Sequence, residues 1–379
     1  MPQPRARVFG VVLLGVVVYA YGSTSEVPWL FLIAYWLWAL AVAGAVYAAW
    51  NGRALEAAAE LRTGEPAPDS PAWWLPDPVL HAAPAGTLFE GDPGRFAVVV
   101  RSRRGTRGPA RVSGRVAGLA AAAGAGRIDE SGVEEERPLA GLSRGVVRAE
   151  GFGLESSDPL GLFGRRRELP ARELALVLPR FASLSGRRRQ REVEASLAAP
   201  RAGSGNEIFG VREYVRGDPL RRIHWRTSAR RGELVVREFE PPGLRTLTLV
   251  LDPEPPTPAA ADQVARLAAS EAWDCLREGG RVALWAPGLE ASAPSDGRSL
   301  WALLEWLARY PDLPAADAAP PPGGEAVLVT ATGGVPVLDA LAELRRRGAD
   351  ARAWVVGEAA FEEPGVPARR VGLEWPLSE

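Results

Sequence analysis

Two uncharged apolar runs open the chain. The first is Val8 to Tyr21, and the second is Trp29 to Trp50, 22 residues long. At about 1.5 Å per residue the second covers about 33 Å, enough for a bilayer core. Between them, residues 22–28 hold Pro28 and a single charge, Glu26, and read as a turn. Arg5 and Arg7 ahead of the first run also suit a signal peptide. No small-x-small cleavage site precedes the turn, however, and a second apolar run follows at once. The pattern predicts a two-helix transmembrane hairpin. Arg5, Arg7, Arg53 and Arg62 flank it on one side, so the positive-inside rule places both termini and the soluble domains in the cytoplasm, at the cell (inner/plasma) membrane. The tryptophans Trp29, Trp36, Trp38 and Trp50 suit interface anchoring or packing within the hairpin. The small residues Ala39, Ala41, Ala43, Gly44 and Ala45 suit close helix contact. Neither span carries a charge, so no proton or ion relay is visible.

Residues 51–62 read as a helical extension of the second span, closing a first segment at 1–62. A Pro-rich connector follows over 63–78, with Trp73 and Trp74 expected to dock on the membrane surface or on the next domain. Residues 79–180 hold short β-type runs separated by Gly and Pro, and predict a β-sandwich-like domain. The runs are 96–100, 110–116, 145–150 and 174–178. The Ala/Gly stretch 118–126 reads as a loop or weak edge. The segment 158–163, Asp-Pro-Leu-Gly-Leu-Phe, reads as a turn whose Leu and Phe plug an apolar surface.

Over 243–379 strand-like and helix-like segments alternate. Strands are expected at 246–252, 281–286, 326–330 and 351–356, and helices at 259–278, 299–310 and 335–347. This βαβ order predicts a mostly parallel sheet with helices on both faces, an α/β, Rossmann-like domain. The lone Cys275 falls in the first of these helices and reads as a buried apolar thiol.

Composition narrows the chemistry. One Cys and two His, His81 and His224, exclude a disulfide framework, a Cys-based zinc site, an iron–sulfur cluster and a His-rich metal site. All 45 basic residues are Arg, so neither a Schiff-base Lys nor a P-loop Lys exists. The absence of Lys also fits GC-rich coding. The net charge of −1 averages unlike parts, because from Arg201 to Arg237 nine Arg face four acids.

That basic stretch lies in a connector at 181–242. It holds Arg212, Glu213, Tyr214, Gly217, Asp218, Arg221, Arg222, Ile223, His224, Trp225, Ser228, Ala229, Arg230 and Glu238. Three readings of it stand side by side. In a structural clasp, Arg and acid side chains pair while Ile223, Trp225 and Ala229 pack inward. In an anion or acidic-partner surface, the Arg forks hold carboxylates or phosphates. In a nucleic-acid reader, Arg contacts are joined by Tyr and Trp stacking. A hydrolase built on Asp218 and His224 has the weakest support, since no further catalytic group accompanies them.

The string from Arg212 to Arg230, followed by residues 234–238, resembles the signature of the bacterial "domain of unknown function 58" family. Arg144-Gly145 and the 158–163 turn resemble that family's second landmark. The order of a two-span N-terminus, a β-rich region, the signature and an α/β domain is similar as well. The resemblance implies a von Willebrand factor A-like domain and a partner among MoxR-type AAA+ ATPases, in complex assembly. A domain of that kind holds Mg²⁺ through Asp-x-Ser-x-Ser, a later Thr and a later Asp. Here the first element reads Asp252-Pro253-Glu254-Pro255-Pro256, with both hydroxyl positions lost. Thr330 and Thr332 follow a later strand with no Asp beside them. The expectation is therefore no cofactor, no metal site beyond the residual Asp252, Thr330 and Thr332, and no catalytic residues. A membrane-anchored, non-enzymatic scaffold for a protein partner is the leading reading. The alternative is an Arg-rich anion reader binding nucleic acid or anionic lipid through residues 212–231.

Overall fold

The computed structural model describes residues 3–377, apart from 85, 140, 185–207, 214–227, 229–234, 240–244 and 293–298. The chain divides into two compact units, residues 1–180 and 181–379.

In the first unit a short strand, β1 (Gln3–Pro4), leads into α1 (Ala6–Ser25). Glu26 takes a left-handed conformation, and α2 (Pro28–Asn51) runs back with Pro28 in its first turn. Both helices are long and apolar enough to cross a membrane. Their contact follows a seven-residue repeat. Val8, Gly15 and Gly22 are the buried positions of α1, and Ala34, Ala41 and Ala48 recur on α2, whereas a methyl at Gly44 would face Phe163 and Asp158. Small residues let the backbones approach. A methyl at Gly15 would stand 2.5 Å from the indole nitrogen of Trp38, which donates to the Val12 carbonyl at 3.4 Å. Of the small residues expected at the contact, Ala41 and Gly44 are buried, whereas Ala39 and Ala43 face outward.

The helix does not continue past Asn51. Residues 55–63 form a strand, β2 (Leu55–Thr63), which corrects the expected helical extension. Ala and Leu are good helix formers, but Leu55, Ala57, Ala59 and Leu61 share one face at a period of two and pack into an apolar core. Tertiary burial overrides local propensity here.

The connector after β2 is pinned rather than loose. A 3₁₀ turn (Pro71–Trp73) and α3 (Asp77–His81) follow it. Buried Asp92 accepts from the Ala67 amide at 3.0 Å and the Ser70 hydroxyl at 3.2 Å. Leu75 is the buried plug, while Trp73 and Trp74 remain exposed.

Two sheets follow. β2, β4 (Gly94–Ser102) and β7 (Val133–Leu139) form a three-stranded antiparallel sheet in the order β2-β4-β7. The larger sheet contains β1, β3 (Leu88–Phe89), β5 (Ala110–Val116), β6 (Leu119–Ala125), β8 (Gly145–Ser157), β9 (Phe163–Glu168) and β10 (Arg172–Leu178). The Ala/Gly stretch is thus an edge strand paired with β5 alone. Both sheets feed one apolar cluster, with Phe96, Val98 and Val100 from the small sheet and Val112, Val147 and Leu154 from the large one.

In the second unit, β11 (Ile208–Glu213) and β12 (Val235–Phe239) form an antiparallel pair. The rest is a five-stranded parallel sheet of β13 (Thr246–Leu251), β14 (Arg281–Trp285), β15 (Glu325–Thr330), β16 (Asp350–Val356) and β17 (Ala368–Val371). Its order is β14-β13-β15-β16-β17. The helices α4 (Pro258–Arg277), α5 (Leu300–Arg309) and α6 (Val335–Arg346) connect the strands. Thr257 and Ser299 cap α4 and α5 by accepting from amides three residues on. β17 was absent from the pattern because four residues of Ala-Arg-Arg-Val give no apolar run. Cys275 is fully buried in α4. The entry segment is latched on the same helix. Asp274 accepts from the Ser183 hydroxyl and the Leu184 amide, both at 2.7 Å, and Phe181 packs on Trp273.

Candidate functional site

A parallel sheet offers a ligand its crevice at the carboxyl ends of the strands, where the strand order reverses. Here that point lies between β13 and β15. Asp252 follows β13 and Thr330 ends β15, so the fold brings these two expected residues together.

Asp252 has no exposed surface. Its Oδ1 accepts from the Thr330 hydroxyl at 2.7 Å and the Thr332 hydroxyl at 2.9 Å. Its Oδ2 accepts from the Ala331 amide and, at 3.1 Å, the Thr332 amide. The Thr330 oxygen in turn accepts from the amides of Thr332 at 3.2 Å and Gly333 at 2.7 Å. From the other side the Tyr310 hydroxyl donates to the Asp252 carbonyl at 2.6 Å. Among the described residues Asp252 therefore caps no helix and pairs with no Arg. It folds the 330–334 turn back over the strand end.

The Mg²⁺ that the resemblance implies would have to bind through these donors. A divalent ion needs several oxygen lone pairs converging on one point. Each Asp252 oxygen already accepts two hydrogen bonds, and the Thr330 oxygen is likewise engaged. Among the described residues no group of three or more His, Cys, Asp or Glu could hold a metal. The residues present, with their lone pairs turned to one another, do not fit the ion.

At the opposite, amino ends of the strands lies a ladder of charges that sequence reading missed. Arg245 pairs with Glu278 and with Glu325, the latter at 2.9 Å through Nη2. Arg352 bridges Glu325 at 3.0 Å and Glu271 at 2.9 Å. Buried Glu271 also accepts from the Trp354 indole at 2.9 Å. Burial pushes the Glu325 carboxyl up, but Arg245 and Arg352 outweigh it and hold its pKa below the ordinary range. Alternation of charge in partly buried sites is the physical signature of a structural network. The only sequence hint was the placement of charged residues at the first positions of otherwise apolar strands.

The Arg-rich signature is bracketed by the β11–β12 pair. Arg212 and Glu213 lie on β11, and Glu238 lies on β12. Their register sets Arg212 opposite Val236, Glu213 opposite Val235 and Gly210 opposite Glu238. Ser228 is buried. Tyr214, Gly217, Asp218, Arg221, Arg222, His224, Trp225 and Arg230 lie outside the described residues.

The 158–163 turn has a site of its own in the first unit. Asp158 is buried and accepts from the amides of Leu160 at 2.9 Å and Phe163 at 2.6 Å. This aims Leu162 and Phe163 at the helices, where they cluster with Val8, Val11 and Ala41. Asn51, at the end of α2, completes the joint. It donates to the carbonyls of Ser157 at 3.2 Å and Pro109 at 3.4 Å and accepts from the Gly108 amide at 3.0 Å. The Arg107 guanidinium lies 3.5 Å over the Trp50 ring.

Comparison with known proteins adds the following. Residues 210–311 match the family model of DUF58, a protein of unknown function. The match begins on β11 and reaches past α5, taking in the signature and the switch-point strand β13. An uncharacterized protein, YeaD of Bacillus subtilis (strain 168), is 27% identical over 155 residues, or 40% of this chain. The matched segment covers 38% of that relative. No solved structure matches.

Proposed function

We propose that the chain is a membrane-anchored, non-enzymatic scaffold. In this reading α1 and α2 cross the membrane, and the parallel-sheet domain, von Willebrand factor A-like in character, is offered to a cytoplasmic protein partner. A MoxR-type AAA+ ATPase is the candidate partner, in the assembly or activation of other complexes. The observation that carries the reading is the filled switch point. Where such a sheet commonly receives a small ligand, Asp252, Thr330, Thr332 and Tyr310 satisfy one another. What the domain can still offer is surface. The joint at Asn51, Arg107 and the 158–163 turn supports the anchor half of the proposal, because a domain built onto its helices is held at a fixed height.

The test is affinity capture of the full-length protein from native membranes, with bound proteins identified by mass spectrometry. The expected result is co-purification of an AAA+ ATPase whose nucleotide turnover changes when the purified protein is added back. Recovery of no ATPase and no other stoichiometric partner overturns the proposal.

A further inference from the structure

We infer that the base of the helical hairpin binds the headgroups of anionic phospholipids. The inference rests on the proposed membrane anchor and adds a lipid class to it.

Arg5 and Arg111 line one cavity at that base, and Arg7, Arg53 and Arg165 lie on the elements that join there. Arg5 and Arg7 lie at the start of α1, Arg53 lies just past the end of α2, Arg165 is on β9, and Arg111 is on β5. The hairpin and the sheet hold them there through backbone contacts. The Arg5 amide donates to the Leu162 carbonyl at 2.9 Å, and Gln3–Pro4 pairs with residues 163–164 of β9. A methyl at Gly164 would stand 3.0 Å from Arg5 Nε, one at Gly161 3.7 Å from Arg7 Nη1, and one at Gly52 3.2 Å from Arg165 Cδ. None of the five has a carboxylate within ion-pair distance among the described residues. Other arginines of this unit do, including Arg62, Arg103, Arg137 and Arg166. Asp158, the acid of the adjoining turn, spends both oxygens on backbone amides.

A cavity of about 420 Å³ opens beside this collar, within the usual range for a small-ligand site. Its wall includes Arg5, Arg111, Ser156 and Ser157, together with Glu135 and Glu155. The two glutamates are paired with Arg137 and Arg166. Arg111 stands opposite Glu155 in the β5–β8 register but beyond ion-pair distance of it, so Arg5 and Arg111 are the cavity-lining cations with no ion pair among the described residues.

Location selects the lipid over a soluble anion. Phe9, Leu13, Leu14 and Val17 along the first three turns of α1, and Trp50 on α2, are large apolar side chains left exposed. Acyl chains suit that surface, and the phosphate of the same molecule then falls at the level of the guanidiniums.

The test uses full-length protein in mild detergent. Native mass spectrometry would compare retention of phosphatidylglycerol, phosphatidylcholine and free glycerol 3-phosphate. At about fivefold per arginine near a membrane surface, phosphatidylglycerol should be preferred over phosphatidylcholine at least about fivefold. The double variant R5Q/R111Q should lower that preference at least about fivefold with its far-UV circular dichroism unchanged, while R281Q in the other unit should retain it in full. Equal retention of both lipids by the wild type, full preference in R5Q/R111Q, or binding of glycerol 3-phosphate as strong as that of the lipid overturns the inference. Alkaline extraction separates the two claims. A protein stripped from native membranes removes the anchor itself, and with it this inference. An extraction-resistant protein with no headgroup preference removes the inference alone.

Discussion

Asp252 carries four hydrogen bonds and no exposed surface, so its replacement reports on the 330–334 turn. Asp252→Ala should cost about 2–4 kcal/mol, because two amides, that of Ala331 buried, and two hydroxyls lose their acceptor together. Asp252→Asn should cost clearly less, since its carbonyl can serve the amides while its NH₂ donates to hydroxyls that are free to turn. Chemical denaturation of the two variants measures the difference. Equal losses would mean that volume rather than hydrogen bonding is at stake. Gly15 poses a different demand. Gly15→Val drives a branched side chain into Trp38, and should lower stability in detergent by about 1–3 kcal/mol, read as the thermal midpoint. Gly10, beside which a Cβ would meet nothing, is the matched control. Asp252 was legible as a residue of interest from its place after an apolar run. Its partners were not, because Thr330 and Thr332 lie 78 and 80 positions away in sequence and only the sheet order joins them.

Among the elements, the apolar strands β13, β14, β15 and β16 could be read directly. Strands buried on both faces appear as unbroken Val/Leu/Ala runs. The amphipathic helices between them end at Gly or begin at Thr and Ser caps, which the sequence also displays. β2 could not be read so simply. Its Leu-Glu-Ala-Ala-Ala-Glu core favours helix locally, and only pairing along the whole length of β4 reverses that preference. The charge ladder across β13, β15, β16 and α4 yields a pH prediction. Glu325 is held ionised by Arg245 and Arg352, with its folded pKa below the unfolded one. Its contribution is therefore present above the ordinary Glu pKa of about 4.3 and is lost as pH falls through the folded value. Wild type should lose stability on acidification in that window, and Glu325→Gln should lose less over the same interval. The readout is the urea midpoint between neutral and acid pH, and identical pH slopes would discard this assignment. The joint between α2 and the sheets belongs to the same scale. Asn51→Leu leaves the Gly108 amide and two carbonyls without their partner, and should cost about 1–3 kcal/mol in detergent.

For the molecule as a whole, the two apolar helices and the βαβ succession emerge from periodicity alone, while the purpose of the Arg-rich signature does not. Its outer residues sit on β11 and β12, and most of its centre lies outside the described residues. The central claim is the proposed anchored presentation, with the hairpin turn on one side of the membrane and both soluble units on the other. Cys275, the single thiol of the chain, is fully buried, so introduced cysteines would be seen against a silent background. The direct measurement is labelling of single-cysteine variants by a membrane-impermeant maleimide in intact spheroplasts and again after permeabilisation. Ser25→Cys, in the hairpin turn, should label in intact spheroplasts. Ser131→Cys in the first unit and Glu358→Cys in the second should label only after permeabilisation. Labelling of Ser131→Cys or Glu358→Cys in intact spheroplasts, with Ser25→Cys protected, would contradict the account.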